Sequence, residues 1–171
     1  MNVRQMTDHD IQPVADVHKA AFVRQTMSRD WIQCNYKAYP RMQLFVAQQG
    51  TTIAGYIQWT QKSGFRTTVV LELEQLAVHP DFQNRGIGEQ LITESLPLVR
   101  AELAKRGATL KHIIVTTRAD NYAQKLYKKT LGVKIEAKIT DLYSADEVFM
   151  IRRNIDRGNL HTTDTASFTG T

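Results

Sequence analysis

A single cysteine, Cys34, stands in 171 residues, so no internal disulfide can form and a reducing compartment is favoured. No apolar run approaches the roughly 20 residues that a membrane-spanning helix needs. Met1 to Asp10 also lacks a basic segment followed by an apolar one, so neither a membrane partner nor a secretory start is expected, and the expected location is cytoplasmic. Proline is scarce, at four residues, and Pro97 falls inside the helix that follows the glycine segment, where it should remove a backbone bond and bend the helix. Missing too is any dense Lys/Arg run interleaved with aromatics; Lys125, Lys128 and Lys129 form the tightest basic group. The net charge of +5 therefore suits attraction of phosphate groups in general, with nucleic acid the less favoured source.

What is present is a chain with 42% apolar residues that closes on a polar end. Residues 1–156 read as one domain and 157–171 as a Thr-rich tail without periodicity. Thr7-Asp8-His9-Asp10 predicts a helix start, followed by Ile11, Val14, Val17, Ala21 and Phe22 at helical spacing, and Ser28 to Tyr36 predicts a second short helix. Leu44 to Ala47 and the alternation Ile53, Gly55, Ile57, Trp59 predict a hairpin around Gln48-Gln49-Gly50. A long strand from Thr67 to Val78 leads to His79-Pro80, a turn, and a helix from about Gly88 to Lys105. Beyond Gly107 the pattern predicts a strand (His112 to Thr117), a helix (Asn121 to about Lys129) and two strands (Val133 to Thr140, Val148 to Ile155).

Between the long strand and its helix lies Gln83-Asn84-Arg85-Gly86-Ile87-Gly88. Two glycines two apart let backbone amides turn toward a ligand, and the helix that follows presents its unpaired N-terminal donors to the same point. A phosphate or pyrophosphate fits such a cradle. A dinucleotide site is a poor match because Leu91 stands where a third glycine belongs, and a P-loop is a poor match because no Gly-Lys-Ser/Thr follows.

Leu76-Ala77-Val78-His79-Pro80, Gln83-x-x-Gly86-x-Gly88 and Asn121-Tyr122-Ala123-Gln124-Lys125-Leu126-Tyr127, in this order and spacing, resemble the GNAT superfamily of acyl-CoA-dependent N-acyltransferases over roughly residues 1 to 155. The resemblance implies an α/β (α+β) fold, a mixed and mostly antiparallel sheet splayed into a V and flanked by about four helices. It implies acetyl-CoA as acyl donor, with no metal. Leu76, Ala77 and Val78 would offer backbone groups to the pantetheine arm. Gln83, Asn84, Arg85, Gly86, Ile87, Gly88 and Glu89 would surround the pyrophosphate, and Asn121, Ala123 and Tyr127 would complete the cofactor site. Glu89 favours the helix dipole but should point away from a bound anion. Two departures from the common pattern are an extra residue before Gly132 and Val133 in place of phenylalanine.

Moving an acetyl group to an amine requires removal of a proton, because an alkyl ammonium has a pKa of about 10. Glu72 and Glu74, two apart on the long strand, share a face unless a bulge intervenes, and two carboxylates in a cleft favour general-base values. Glu72 is the preferred base, since by resemblance a position eleven residues before Gln83 carries a glutamate in some members; Glu74 is second, and either could instead bind a cationic substrate. His79, before a proline at a strand exit, reads as a turn residue. The resemblance gives the Tyr127 hydroxyl the place beside the CoA sulfur, as general acid or hydrogen-bond donor. The backbone of Leu76 is the candidate oxyanion donor, and a bulge near Glu74 to Ala77 would expose it. The expected activity is direct transfer from acetyl-CoA to a primary amine of a small molecule. The alternatives are acetylation of a protein N-terminus or lysine, and a CoA-binding sensor domain. Homodimers are common in proteins of this resemblance, which leaves the oligomeric state open.

Overall fold

A computed structural model describes residues 1–156; the expected tail, 157–171, lies outside the described residues. Seven strands form one sheet in the order β1-β2-β3-β4-β5-β7-β6, with ranges β1 Asn2–Gln5, β2 Met42–Gln49, β3 Thr52–Lys62, β4 Thr68–Val78, β5 Thr109–Arg118, β6 Lys134–Ile139 and β7 Glu147–Arg152. Every neighbouring pair is antiparallel except β4 with β5. Four helices flank it: α1 Ile11–Ala21, α2 Ser28–Lys37, α3 Ile87–Lys105 and α4 Gln124–Leu131. This is the mixed, mostly antiparallel arrangement that the sequence leads one to expect.

The two faces of the sheet carry separate cores. On one, Val14, Val17 and Ile32 of α1 and α2 pack with Leu44, Val46 and Tyr56. On the other, Leu91, Val99 and Leu103 of α3 pack with Trp59, Leu71, Leu73, Ile113, Val115 and Met150. The inner strands alternate between them, as the period-two geometry of a pleated sheet requires, while β6 at the edge is exposed throughout. Gly55 marks where β3, β4 and α3 come too close for a side chain, since a Cβ there would sit 2.7 Å from the Ala77 carbonyl oxygen. Helix α3 continues through Pro97 to Lys105, past the bend expected there.

A bulge in β4 changes which face its residues reach. Gln58 pairs with Gln75 and Trp59 with Leu73, so Glu74 is the extra residue. Before it, Val69, Leu71 and Leu73 face α3; after it, Leu76 and Val78 do, while Gln75 and Ala77 face α1 and α2. Pairing of β4 with β5 ends at Glu72 opposite Ile114, although β5 runs on to Arg118 beside β7. From there the two parallel strands diverge, and the residues from Leu73 to Val78 have only β3 as a sheet neighbour.

Strand β1 has no legible alternation in its four residues and is not foreseen in the sequence; it exists because β2 offers an edge and Arg4 is clamped. The Arg4 guanidinium donates to both carboxylate oxygens of Asp10, at 2.7 and 2.8 Å, and Asp10 also accepts from the backbone amide and hydroxyl of Thr7 in a capping box. Burial works to raise the Asp10 pKa, but the bonds from Arg4 and Thr7 overcome it and hold the carboxyl at about 2. Its pKa being lower in the folded than in the unfolded chain, the stabilisation is complete above the ordinary carboxylate range and is lost as pH falls toward 2. Asp10→Asn is expected to lower unfolding free energy at pH 7 by on the order of 2 kcal/mol and to flatten the acid limb between roughly pH 4 and 2, as read by urea melts across pH.

Candidate active site

The divergence of β4 and β5 opens a cleft of about 480 Å³ between β4, the start of α3 and α4, which Ala21 and Phe22 at the end of α1 also reach. Its long wall is Leu76, Ala77 and Val78; its end is the segment from Gln83 to Glu89; its opposite wall is the approach to α4, with Asn121, Ala123 and Tyr127. Sequence reasoning placed all of these in the cofactor site, and the fold brings them to one cleft. Arg85 is the exception. Its guanidinium donates to the Asp81 carbonyl at 2.9 Å and lies 5.4 Å from the Phe82 ring centre, so in this conformation it is folded back on the turn and does not line the cleft.

The glycine segment is shaped by two left-handed residues. Asn84 has φ 61° and Gly86 has φ 77°, and Gly86 is the N-cap of α3. Only glycine adopts that conformation without strain, which fixes the second of these positions. The turn before it is held by Gln83, whose side chain donates to the Val78 carbonyl, and by His79, whose Nδ1 accepts from the Asp81 amide. His79 is thus a turn residue, as its sequence context suggests. Among the described residues, the amides from Asn84 to Glu89 have no acceptor, so this end of the cleft is a set of converging donors at a helix N-terminus. Glu89 is drawn sideways into an ion pair with Lys129 of α4 at 2.9 Å. At Gly88 a Cβ would meet Leu126 at 3.2 Å, so the glycine also sets the close approach of α3 and α4.

Asn121 lies just ahead of α4, not within it. Its Oδ1 accepts from the Ala123 amide at 2.9 Å and its Nδ2 donates to the Thr117 hydroxyl at 2.8 Å, tying the helix start to β5. The helix ends at Gly132, left-handed with φ 67°, against which the Arg152 side chain packs while donating to the Leu131 carbonyl. Val133, which follows the cap, is buried in the core.

Tyr127 is only 6% exposed, yet its hydroxyl makes no hydrogen bond among the described residues and is not sealed from solvent. Burial pushes its pKa up to about 12, so at neutral pH it holds its proton and has an O–H to donate. A core tyrosine would have its hydroxyl satisfied locally; this one ends in the cleft.

The two carboxylates lie elsewhere. Glu72 sits at the last β4–β5 pair, at the vertex of the divergence, with Lys62 Nζ 2.8 Å away. Glu74, on the bulge, accepts from the Thr60 hydroxyl at 2.5 Å. Thr60 continues through Gln58 to Asn35 of α2, and the adjacent Gln75 accepts from Trp31 Nε1 and the Tyr56 hydroxyl. Both glutamates therefore belong to the α1 and α2 face, across the sheet from the donor cradle, and each has its own partner. Ala21, Phe22, Phe82, Tyr122 and Leu126 also line the cleft without having been assigned to it from sequence. Only Leu126 carried a signal, lying at helical spacing from Ala123 beside Tyr127.

Among the described residues no cluster of His, Cys, Asp or Glu is placed to hold a metal, and no helix is long and apolar enough to cross a membrane. No curated protein matches the sequence. The structure is similar to the aminoglycoside 6′-N-acetyltransferase from Enterococcus faecium, with TM-score 0.69 and 15% identity over 90% of this chain and 97% of that one. It is also similar to the ribosomal-protein-S18-alanine N-acetyltransferase from Escherichia coli, with TM-score 0.69 and 20% identity over 94% and 99%. A third similar structure is an aminoglycoside 6′-N-acetyltransferase complexed with coenzyme A, with TM-score 0.69 and 16% identity over 90% and 97%. At such identities these likenesses speak for the fold. The family model described as acetyltransferase (GNAT) family matches residues 11–133, well over half of the chain, and the chain accordingly belongs to the GNAT family of acetyltransferases, enzymes that use acetyl-CoA.

Proposed function

We propose that this acetyltransferase moves an acetyl group from acetyl-CoA directly to a primary amine of a small molecule, and that the donor lies in the cleft between β4 and α4. The observation that carries the reading is the meeting, in one cleft, of unpaired amides from Asn84 to Glu89 with the unpartnered hydroxyl of Tyr127. The amides suit a pyrophosphate at one end. The hydroxyl suits a leaving sulfur at the other. Similar folds serve both aminoglycoside and ribosomal-protein acetyltransferases, and the small-amine reading takes Glu72, beside Lys62, and Glu74, beside Thr60, as the carboxylates that a cationic acceptor would approach.

Acetyl-CoA supplies a thioester whose carbonyl carbon takes the amine nitrogen and whose sulfur departs. The chain's own groups handle the protons and the charge. Glu72 accepts a proton from the incoming ammonium, through water across the vertex of the cleft. Leu76, on the stretch of β4 with a single sheet neighbour, gives its N–H to the carbonyl oxygen as that oxygen gains charge. Tyr127 hands its proton to the sulfur and regains one from the nitrogen, leaving an amide, a free thiol and one proton on Glu72. Cys34 is exposed on α2 and does not line the cleft, which favours direct transfer over an acyl-enzyme.

For Tyr127→Phe the expected result is a fall in single-turnover rate of about 10²-fold with CoA affinity nearly unchanged, the scale of losing a general acid. An undiminished rate would return Tyr127 to a packing role. Glu72→Gln is expected to depress turnover most near neutral pH, with the rate recovering as pH approaches the amine pKa of about 10. The measurement is a pH–rate profile followed by thiol release, and a profile of unchanged shape would remove Glu72 from the proton path.

A further inference from the structure

Two residues of the cleft come from the other face of the sheet. Ala21 ends α1 and Phe22 caps it, and both line the cleft that β4, the start of α3 and α4 otherwise build. Ala21 presents only a methyl, so the Phe22 ring is the bulk on this side. The backbone of Phe22 is tied in both directions: its N–H donates to the His18 carbonyl at 2.8 Å, and its carbonyl accepts from the Gln25 amide at 2.9 Å. The ring packs against the His18 imidazole, with centroids 5.0 Å apart and planes at 51°. That imidazole is fully buried, and its Nδ1 lies 2.8 Å from the hydroxyl of Ser28, the first residue of α2.

Holding His18 there is unfavourable in itself. Its Nε2 is the one sealed side-chain polar atom without a partner among the described residues, and a buried polar group left unpaired destabilises the fold. Burial pushes the His18 pKa down, so at neutral pH the ring is uncharged and backs Phe22 with a rigid, neutral wall. Phe22 is thereby held to α1 and, through His18 and Ser28, to α2. What meets it follows from the direction of transfer. The amides from Asn84 to Glu89 and the Tyr127 hydroxyl lie toward α3 and α4, whereas Glu72 and Glu74 belong to the α1 and α2 face. A donor with its pyrophosphate at the amides and its sulfur at Tyr127 must turn its acyl group toward the α1 side of the wedge, where Phe22 stands.

We propose that Phe22 sets the acyl length this enzyme accepts: its ring closes the α1 side of the cleft, so that an acetyl group fits and a chain of four carbons does not. This rests on the reading that the donor lies in the cleft, and adds to it a residue that selects the acyl group. A close-packed wall resists added methylenes, so a ring fixed in this way discriminates by overpacking. Phe22 takes no part in the proton transfers.

The test is calorimetric titration of free CoA, acetyl-CoA, propionyl-CoA and butyryl-CoA into the full-length protein, in wild type, Phe22→Ala and Phe22→Leu. Wild type is expected to bind acetyl-CoA at least about tenfold more tightly than butyryl-CoA, the scale of forcing extra methylenes against a packed wall, with propionyl-CoA between them. In Phe22→Ala the order should reverse, because the added methylenes of butyryl-CoA fill the space that the ring leaves. Phe22→Leu should fall between the two and, keeping an apolar side chain against His18, carries the test if Phe22→Ala does not fold. Free CoA should bind wild type and variants alike, to within about threefold. Equal binding of acetyl-CoA and butyryl-CoA by wild type, or an intact acetyl preference in the folded variants, overturns the assignment and leaves the donor cleft standing. A loss of affinity for free CoA in Phe22→Ala as large as that for acetyl-CoA also overturns it, since Phe22 would then line the pantetheine arm. No binding of any CoA form by wild type overturns the donor cleft and the assignment together.

Discussion

The hydrogen-bond ladder between β4 and β5 stops at Glu72 and Ile114, and most of what this protein can do follows from that stop. Parallel strands that stayed paired to their ends would bury their edges against one another. Here β5 turns its far half to β7, β4 keeps only β3, and the wedge between them opens the cleft. The bulge at Glu74 completes the arrangement by exchanging the faces of β4, so that Leu76 and Val78 turn to the side of α3 while Gln75 and Ala77 turn to α1 and α2. One strand then separates the face of the cleft from the face of α1 and α2.

The two faces are built with different chemistry. The cleft side presents backbone amides at the start of α3 and a tyrosine hydroxyl, groups that can donate hydrogen bonds without carrying charge. The α1 and α2 side is held by side chains: Asn35, Gln58 and Thr60 form a chain that fixes Glu74 under α2, and Gln75 receives Trp31 and Tyr56 together. Buried polar networks of this kind specify one arrangement only when their members are satisfied.

Much of the cleft side was legible because backbone conformation leaves a mark in sequence. Gly86 has to be glycine to cap α3 in a left-handed conformation, Gly88 has to be small to let α4 approach, and Tyr127 falls at a fixed step from Asn121. Other features depend on tertiary contacts that no local pattern records. Strand β1 is only four residues and is secured by Arg4 reaching Asp10; Arg85 looks in sequence like a phosphate ligand but stacks on Phe82; and Phe82 and Tyr122 reach the cleft only because of how their turns fold. The shared face of Glu72 and Glu74 was readable by parity and survives the bulge, because Glu74 is itself the inserted residue. Their distribution between Lys62 and Thr60 was not readable.

The donor site is tested most directly by following backbone amide NMR shifts of the full chain while CoA is added. The largest changes should fall at Asn84 to Glu89, with a second group at Leu76 to Val78 along the open edge of β4. If the amides from Asn84 to Glu89 stay in place while CoA binds elsewhere, the cleft is not the donor site.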